Sequence, residues 1–191
     1  MNAIASRLTA LLAALLLAAC AVAPSENIKE ATRKDVRAMA DATLAQLYRT
    51  HPGARRHVEG AYGHAVFATY GLTVVFAGAG GGQGIAVRQG GGPETFMKMV
   101  EAQAGVGLGA RKVNLVWVFE TQGAFDTFVN KGWELGAQAT AAAASGSKGG
   151  AVEGSLVVAN GVWLYQMTDT GVALELMARG TKYFRDEELN R

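Results

Sequence analysis

Apolar residues follow three different spacings along this 191-residue chain. Residues 8–19 are an almost unbroken apolar run behind Arg7, the one charge of the leader. Such a run is too short to cross a bilayer comfortably and predicts a secretory signal peptide over residues 1–19. Over residues 28–48 the spacing becomes helical: Val36, Met39, Ala40, Thr43, Leu44, Leu47 and Tyr48 fall on one side. One amphipathic helix is predicted there, with Ser25 as its N-cap and Pro52-Gly53 as its end. A short helical turn carrying Arg55, Arg56 and His57 follows.

Beyond Gly63 the apolar positions alternate, as in strands with one face buried. Short strands are expected at 65–68 and 72–77, around Ile85 and Val87, and less cleanly at 96–104. The clearest strand is 113–119, where Val113, Leu115, Trp117 and Phe119 share a face. Thr121 then caps a short helix that buries Ala124, Phe125, Phe128 and Val129, and Gly132 supplies its C′ position. Trp133, Leu135, Ala137 and Ala139 alternate in another strand, residues 143–154 read as a flexible loop, and 156–167 and 172–179 close the pattern as two strands. The expected fold is α+β: a mostly antiparallel β barrel or sandwich preceded by an amphipathic helix, with one short helix inserted between strands.

Glycine usage agrees with this division, because 2 of the 25 glycines lie in the first 60 residues. Helices disfavour glycine and sheets use it in turns and bulges, so the chain divides into a helical part, 26–60, and a β-rich part, 61–191. Cleavage of the leader leaves 172 residues, enough for one domain with a real core. It also leaves 17 basic against 16 acidic side chains, a balance that argues against a nucleic-acid partner.

Leu17-Ala18-Ala19-Cys20 resembles the bacterial lipoprotein signal, which implies that Cys20 becomes the acylated first residue of the mature protein. Cys20 is the one cysteine, so an internal disulfide is excluded. Residues 20–25 form a tether that reaches at most about 17 Å from the anchor. By resemblance to the sorting rule of such proteins, Ala21 directs the protein to the outer membrane of the bacterial cell envelope. Lys29, Arg33 and Arg37 form a basic stripe beside the apolar helical face, with Lys34 nearby and Arg55 and Arg56 in the next turn. Either this stripe is a solvated face partly neutralised by Glu30, Asp35 and Asp41, or these six residues contact lipid headgroups.

Several chemical motifs fail on context. Gly78-Ala79-Gly80-Gly81-Gly82-Gln83-Gly84 has Gln83 where a dinucleotide fingerprint needs its third glycine, and a strand-like segment follows it. A glycine-lined turn where two strands approach closely is the expected structure. Gly146-Ser147-Lys148-Gly149 lacks the lead of a Walker loop, and no nucleophile elbow surrounds Ser145, Ser147 or Ser155. His51, His57 and His64 lack metal-pair spacing and read as surface residues. No metal, cofactor or catalytic constellation is implied, and the chain reads as a non-enzyme.

From residue 61 to 190 the order of motifs resembles the SYLF lipid-binding domain. The matching pieces are Ala61-Tyr62-Gly63-His64-Ala65-Val66-Phe67, the 78–87 segment, Ala104-Gly105-Val106-Gly107-Leu108-Gly109-Ala110, Val116-Trp117-Val118-Phe119-Glu120-Thr121, Ala124-Phe125-Asp126-Thr127-Phe128 and Gly180-Thr181-Lys182-Tyr183-Phe184-Arg185. The resemblance implies phospholipid binding through a helix ahead of the β region, here 28–48. It also implies phosphoinositide preference and actin bundling in some eukaryotic members, which a bacterial envelope lipoprotein has no occasion to use.

The expected function is therefore a lipid-anchored, non-catalytic envelope protein whose partners are membrane phospholipids. The alternative is a structural or protein-binding envelope lipoprotein with no lipid site of its own. In that alternative Trp133, Trp163 and Tyr165 are the available aromatic anchors, although alternating strands favour them as core.

Overall fold

The computed structural model describes residues 24–135, 154–168, 171–172 and 179–191. The leader, Cys20, residues 21–23 of the tether, Ala137, Ala139, residues 143–153 of the expected loop and residues 173–178 of the last expected strand lie outside the described residues. Helix α1 spans Glu26–Thr50 and buries Val36, Ala40, Thr43 and Leu47, with Met39, Leu44 and Tyr48 half-buried beside them. That is the face the 3.6-residue spacing predicts. Ser25 is its N-cap but makes no side-chain capping bond. After His51, Pro52 opens α2, Pro52–Gly60, which buries Ala54 and Val58.

Strands β1, Gly63–Arg88, and β2, Thr95–Phe119, pair antiparallel from Gly63 opposite Phe119 to Ala86 opposite Thr95. A straight strand of this length would extend about 85 Å, several times the radius of gyration of a domain this size, so the ribbon has to bend. It does so where the register shifts between Val75 and Ala77. The two halves of β1 then lie together: a Cβ on Gly80 would stand 2.5 Å from the Tyr70 carbonyl oxygen, and one on Gly82 would stand 2.5 Å from that of Ala68. Two expectations are thereby corrected. The separate short strands of 65–87 are one continuous strand, and the glycines of 78–84 are strand positions facing residues 97–103 of β2 rather than a turn. The close approach that the glycines permit is present, but it lies between the halves of one bent strand.

Thr121 caps α3, Gln122–Lys131, by accepting a hydrogen bond from the Ala124 amide, and Gly132 ends that helix at φ 73°. Trp133–Leu135 forms β3, Leu156–Ala159 β4, Val162–Thr168 β5, Gly171–Val172 β6 and Arg179–Arg185 β7. The stretch expected as one strand over 156–167 is thus two, turned at Asn160 and Gly161. All pairings are antiparallel, in the order β3-β7-β2-β5-β4, with β1 on β2 and β6 on β5. The length of β2 explains this layout: residues 97–103 hold β7 and residues 114–119 hold β5.

The sheet buries both faces. Phe67, Leu115, Trp117, Phe119 and Tyr183 pack with Phe125 and Phe128 of α3 on the inner face. Their rings stand 4.8 Å apart for Phe119 and Phe128 and 5.1 Å apart for Trp117 and Tyr183. Val66, Ile85, Phe96, Val116, Val118, Tyr165 and Met167 pack under α1 and α2 on the outer face. The fold is α+β, an antiparallel curled sheet with an amphipathic helix ahead of it and a short helix inserted between strands.

Candidate functional site

The helices leave part of the outer sheet face uncovered toward the bend of the β1–β2 ribbon. An open groove of about 460 Å³ lies there, lined by Ala68, Tyr70, Gly80, Gly81, Gly82, Gln83, Lys98, Met99, Val100 and Phe184. Two of its lining side chains, Tyr70 and Val100, are 62% and 50% accessible, and Leu72 further along β1 is 57% accessible. Positions 68, 70 and 72 alternate on one strand and so share this face. Two cations stand at its margin. Lys112 lies opposite Tyr70 across the ribbon and is exposed, while Lys98 is paired with Asp186 at 3.2 Å and Glu188 at 3.7 Å.

The six basic residues singled out in the sequence separate into two groups. Lys29 lies 3.3 Å from Glu26, and Arg33 lies 2.7 Å from Glu26 and 3.2 Å from Glu30. Arg33 also donates to the carbonyls of Leu189 and Arg191, at 2.9 and 2.8 Å. Arg37 pairs with Glu94 at 2.7 Å and with Glu30 at 3.4 Å, and its guanidinium sits 5.2 Å from the centre of the Phe96 ring. Hydrogen bonds from Arg33 and then Lys29 hold the Glu26 carboxyl below its usual range, and the Glu26 bond in turn raises Arg33. Arg55 pairs with Glu59 at 3.2 Å and lies over the Tyr48 ring. Lys34 and Arg56 are exposed and have no ion-pair partner among the described residues.

A polar network joins α2 to β5. His57 Nδ1 lies 2.9 Å from the Tyr165 hydroxyl, and its Nε2 lies 3.8 Å from Glu120 Oε1, a carboxylate that also accepts from the Trp163 indole at 3.0 Å. The His57 ring meets Trp163 edge-on at 5.1 Å. Burial lowers the His57 pKa, opposed by Glu120, and burial lowers that of His64 as well. Burial also raises the Tyr165 hydroxyl, against a Ser155 hydrogen bond that lowers it. The expectation of surface histidines is corrected: α2 packing down on the sheet covers His57, and His64 is buried in β1. No three His, Cys, Asp or Glu side chains come together as a metal site among the described residues. With Tyr165 and Ser155 buried, this network positions α2 on the sheet.

Tyr70 and Val100 of the groove, and Leu72 and Lys112 beside it, are not among the candidates from sequence. The signal for them is the absence of any charged residue over 71–87 and again over 102–110.

Residues 100–191 match the model of a family described as Ysc84, Las17-binding protein actin regulator. A curated relative, Beta cell expansion factor A of Aeromonas veronii, is 31% identical over 169 residues, covering 86% of this chain and 63% of the relative's own length.

Proposed function

Because residues 100–191 carry the domain of the Ysc84, or SYLF, family, we propose that this protein is a phospholipid-binding module of the bacterial envelope, held at the bilayer by acylated Cys20 and acting without catalysis. The observation that carries the reading is the uncovered apolar groove on the outer sheet face, with Tyr70, Leu72 and Val100 exposed around it. Surfaces that bind lipid gain by removing such area from water, at about 25 cal/mol per Å². The tether, residues 20–25, keeps the fold within about 17 Å of the anchor, so even a weak site works at a high effective concentration. Lys34 and Arg56 are the members of the basic set left available to headgroups.

The aromatic residues named for the protein-docking alternative are engaged within the fold, which supports the lipid reading over it. Tyr165 is buried, Trp163 is tied to Glu120, and Trp133 packs 5.8 Å from Trp117 at the inner core. Flotation of residues 20–191 carrying Cys20→Ser, with vesicles of phosphatidylethanolamine and phosphatidylglycerol, tests the lipid reading. Co-flotation without the anchor is the expected result, and failure to float on any lipid composition overturns it.

A further inference from the structure

The bend of the β1–β2 ribbon joins the two uncharged stretches, 71–87 and 102–110, in a chain of which 18% is charged. Its backbone register runs on through Leu72 opposite Ala110, Thr73 opposite Gly109 and Val74 opposite Leu108. Within the ribbon charge returns only at the base, where Lys112 lies opposite Tyr70, Arg111 opposite Gly71 and Glu101 opposite Gly80, while the neighbouring β7 sets Arg179 opposite Gln103. The Glu101 carboxylate is matched by Arg111 at 3.1 Å. Lys112 has no ion-pair partner among the described residues, so the base of the bend is net positive.

We infer that this bend is the element that enters the bilayer, with Tyr70 and Lys112 at the headgroup level and Leu72 on the acyl side of them. The inference rests on the phospholipid-binding reading and names the part of the protein that makes the contact. Three physical requirements are met together. An inserting segment has to bring little charge, and the two ribbon segments that form the bend carry no charged residue over 71–87 and 102–110. Its backbone amides need partners other than water, and cross-strand pairing supplies them along one edge of each strand on both sides of the register shift between Val75 and Ala77. Its boundary needs side chains that are apolar in body and polar at the tip, which tyrosine and lysine are. The positive base complements anionic headgroups, each such cation adding a salt-screened attraction. Glycine and alanine predominate across 77–84 and 102–110. Such a surface offers a protein partner few directional groups, whereas a fluid bilayer needs none.

The test uses residues 20–191, which hold every described element, with Cys20→Ser and a single new cysteine at Leu72 or at Asn130 on α3, each labelled with a nitrobenzoxadiazole fluorophore. Vesicles contain phosphatidylethanolamine and phosphatidylglycerol, with or without doxyl-labelled lipid. The expected result is a severalfold brightening of the Leu72→Cys label on binding and its quenching by doxyl lipid, with the Asn130→Cys label unchanged. Flotation with an unquenched Leu72→Cys label overturns the inference and leaves lipid binding standing. Failure of every labelled protein and of the unlabelled Cys20→Ser protein to float overturns lipid binding itself. An unlabelled Leu72→Asp variant with an unaltered thermal midpoint should lose affinity on the order of tenfold, the scale of one leucine leaving an apolar environment. Sedimentation without vesicles adds a final arm: a concentration-dependent dimer abolished by Leu72→Asp assigns the bend to a second copy and overturns insertion.

Discussion

The Tyr165 hydroxyl stands 2.9 Å from His57 Nδ1, and that pair fixes α2 against the sheet beside an ionisable ring that is held neutral. Burial depresses the His57 pKa below its ordinary 6.5, the nearby Glu120 carboxylate opposes the shift without reversing it, and burial depresses His64 likewise. A depressed histidine pKa means that the folded state binds fewer protons than the unfolded chain, so the contribution of each ring is complete above about pH 6.5 and falls as pH drops below it. The thermal midpoint should therefore decline between pH 6.5 and 5. His57→Gln should flatten part of that slope and cost about 1 kcal/mol at neutral pH through the lost Tyr165 bond. Melting curves of both proteins across this range give the comparison, and an unchanged slope would show that His57 is not a source of it.

The doubled ribbon depends on having no side chain at Gly82, where a Cβ would meet the Ala68 carbonyl at 2.5 Å and Met99 Cγ at 3.1 Å. Backbone cannot yield as the end of a side chain can, so Gly82→Ala should destabilise the fold by about 2–3 kcal/mol. Gly123, in the first turn of α3, where a Cβ would have nothing within 4 Å, is the control. Gly123→Ala should be neutral or stabilising by up to about 1 kcal/mol, because alanine favours a helix. Urea unfolding of the two variants measures the difference.

These two sites also mark where the sequence was legible. The α1 face and the alternation of Val113, Leu115, Trp117 and Phe119 are local periodicities, and the side chains they select are the ones buried. Glycine carries no hydrophobic signal, so residues 78–84 interrupted the period and hid the continuity of β1. The pairing of Arg33 with Leu189 and of Arg37 with Glu94 joins residues 156 and 57 positions apart, which no spacing along one helix reveals. The histidines were misplaced for a related reason: His57 is covered only because α2 folds onto β5.

Arg33 fastens the C-terminal segment. Its guanidinium donates to the Leu189 and Arg191 carbonyls, while Leu189 is buried in the outer core and Asn190 exchanges side-chain hydrogen bonds with the Phe96 backbone at 2.7 and 3.0 Å. Arg33→Gln should raise amide exchange at 186–191 and leave β1 protected, whereas Lys34→Gln should alter neither region. Hydrogen exchange read by mass spectrometry distinguishes a local release from a general loosening, and equal acceleration across the chain would count against the fastening role.

The division of the basic stripe predicts which charges a membrane feels. Arg37 and Glu94 are joined at 2.7 Å, so Arg37→Gln with Glu94→Gln removes a pair without changing net charge. Lys34→Gln with Arg56→Gln removes two cations that have no ion-pair partner among the described residues. A cation close to an anionic surface contributes about 1 kcal/mol, and the attraction fades beyond a Debye length of about 10 Å at 0.1 M salt. The Lys34 and Arg56 double variant of residues 20–191 with Cys20→Ser should thus bind phosphatidylglycerol vesicles roughly tenfold or more weakly at low salt, with the gap closing as salt rises. The Arg37 and Glu94 double variant should bind as its parent does at every salt concentration, provided its melting point is unchanged. Titration of vesicles at several ionic strengths decides the matter. Equal losses in both variants would mean that the ion-paired helix face opens at the membrane and that its ion pairs exchange their carboxylates for headgroup phosphates.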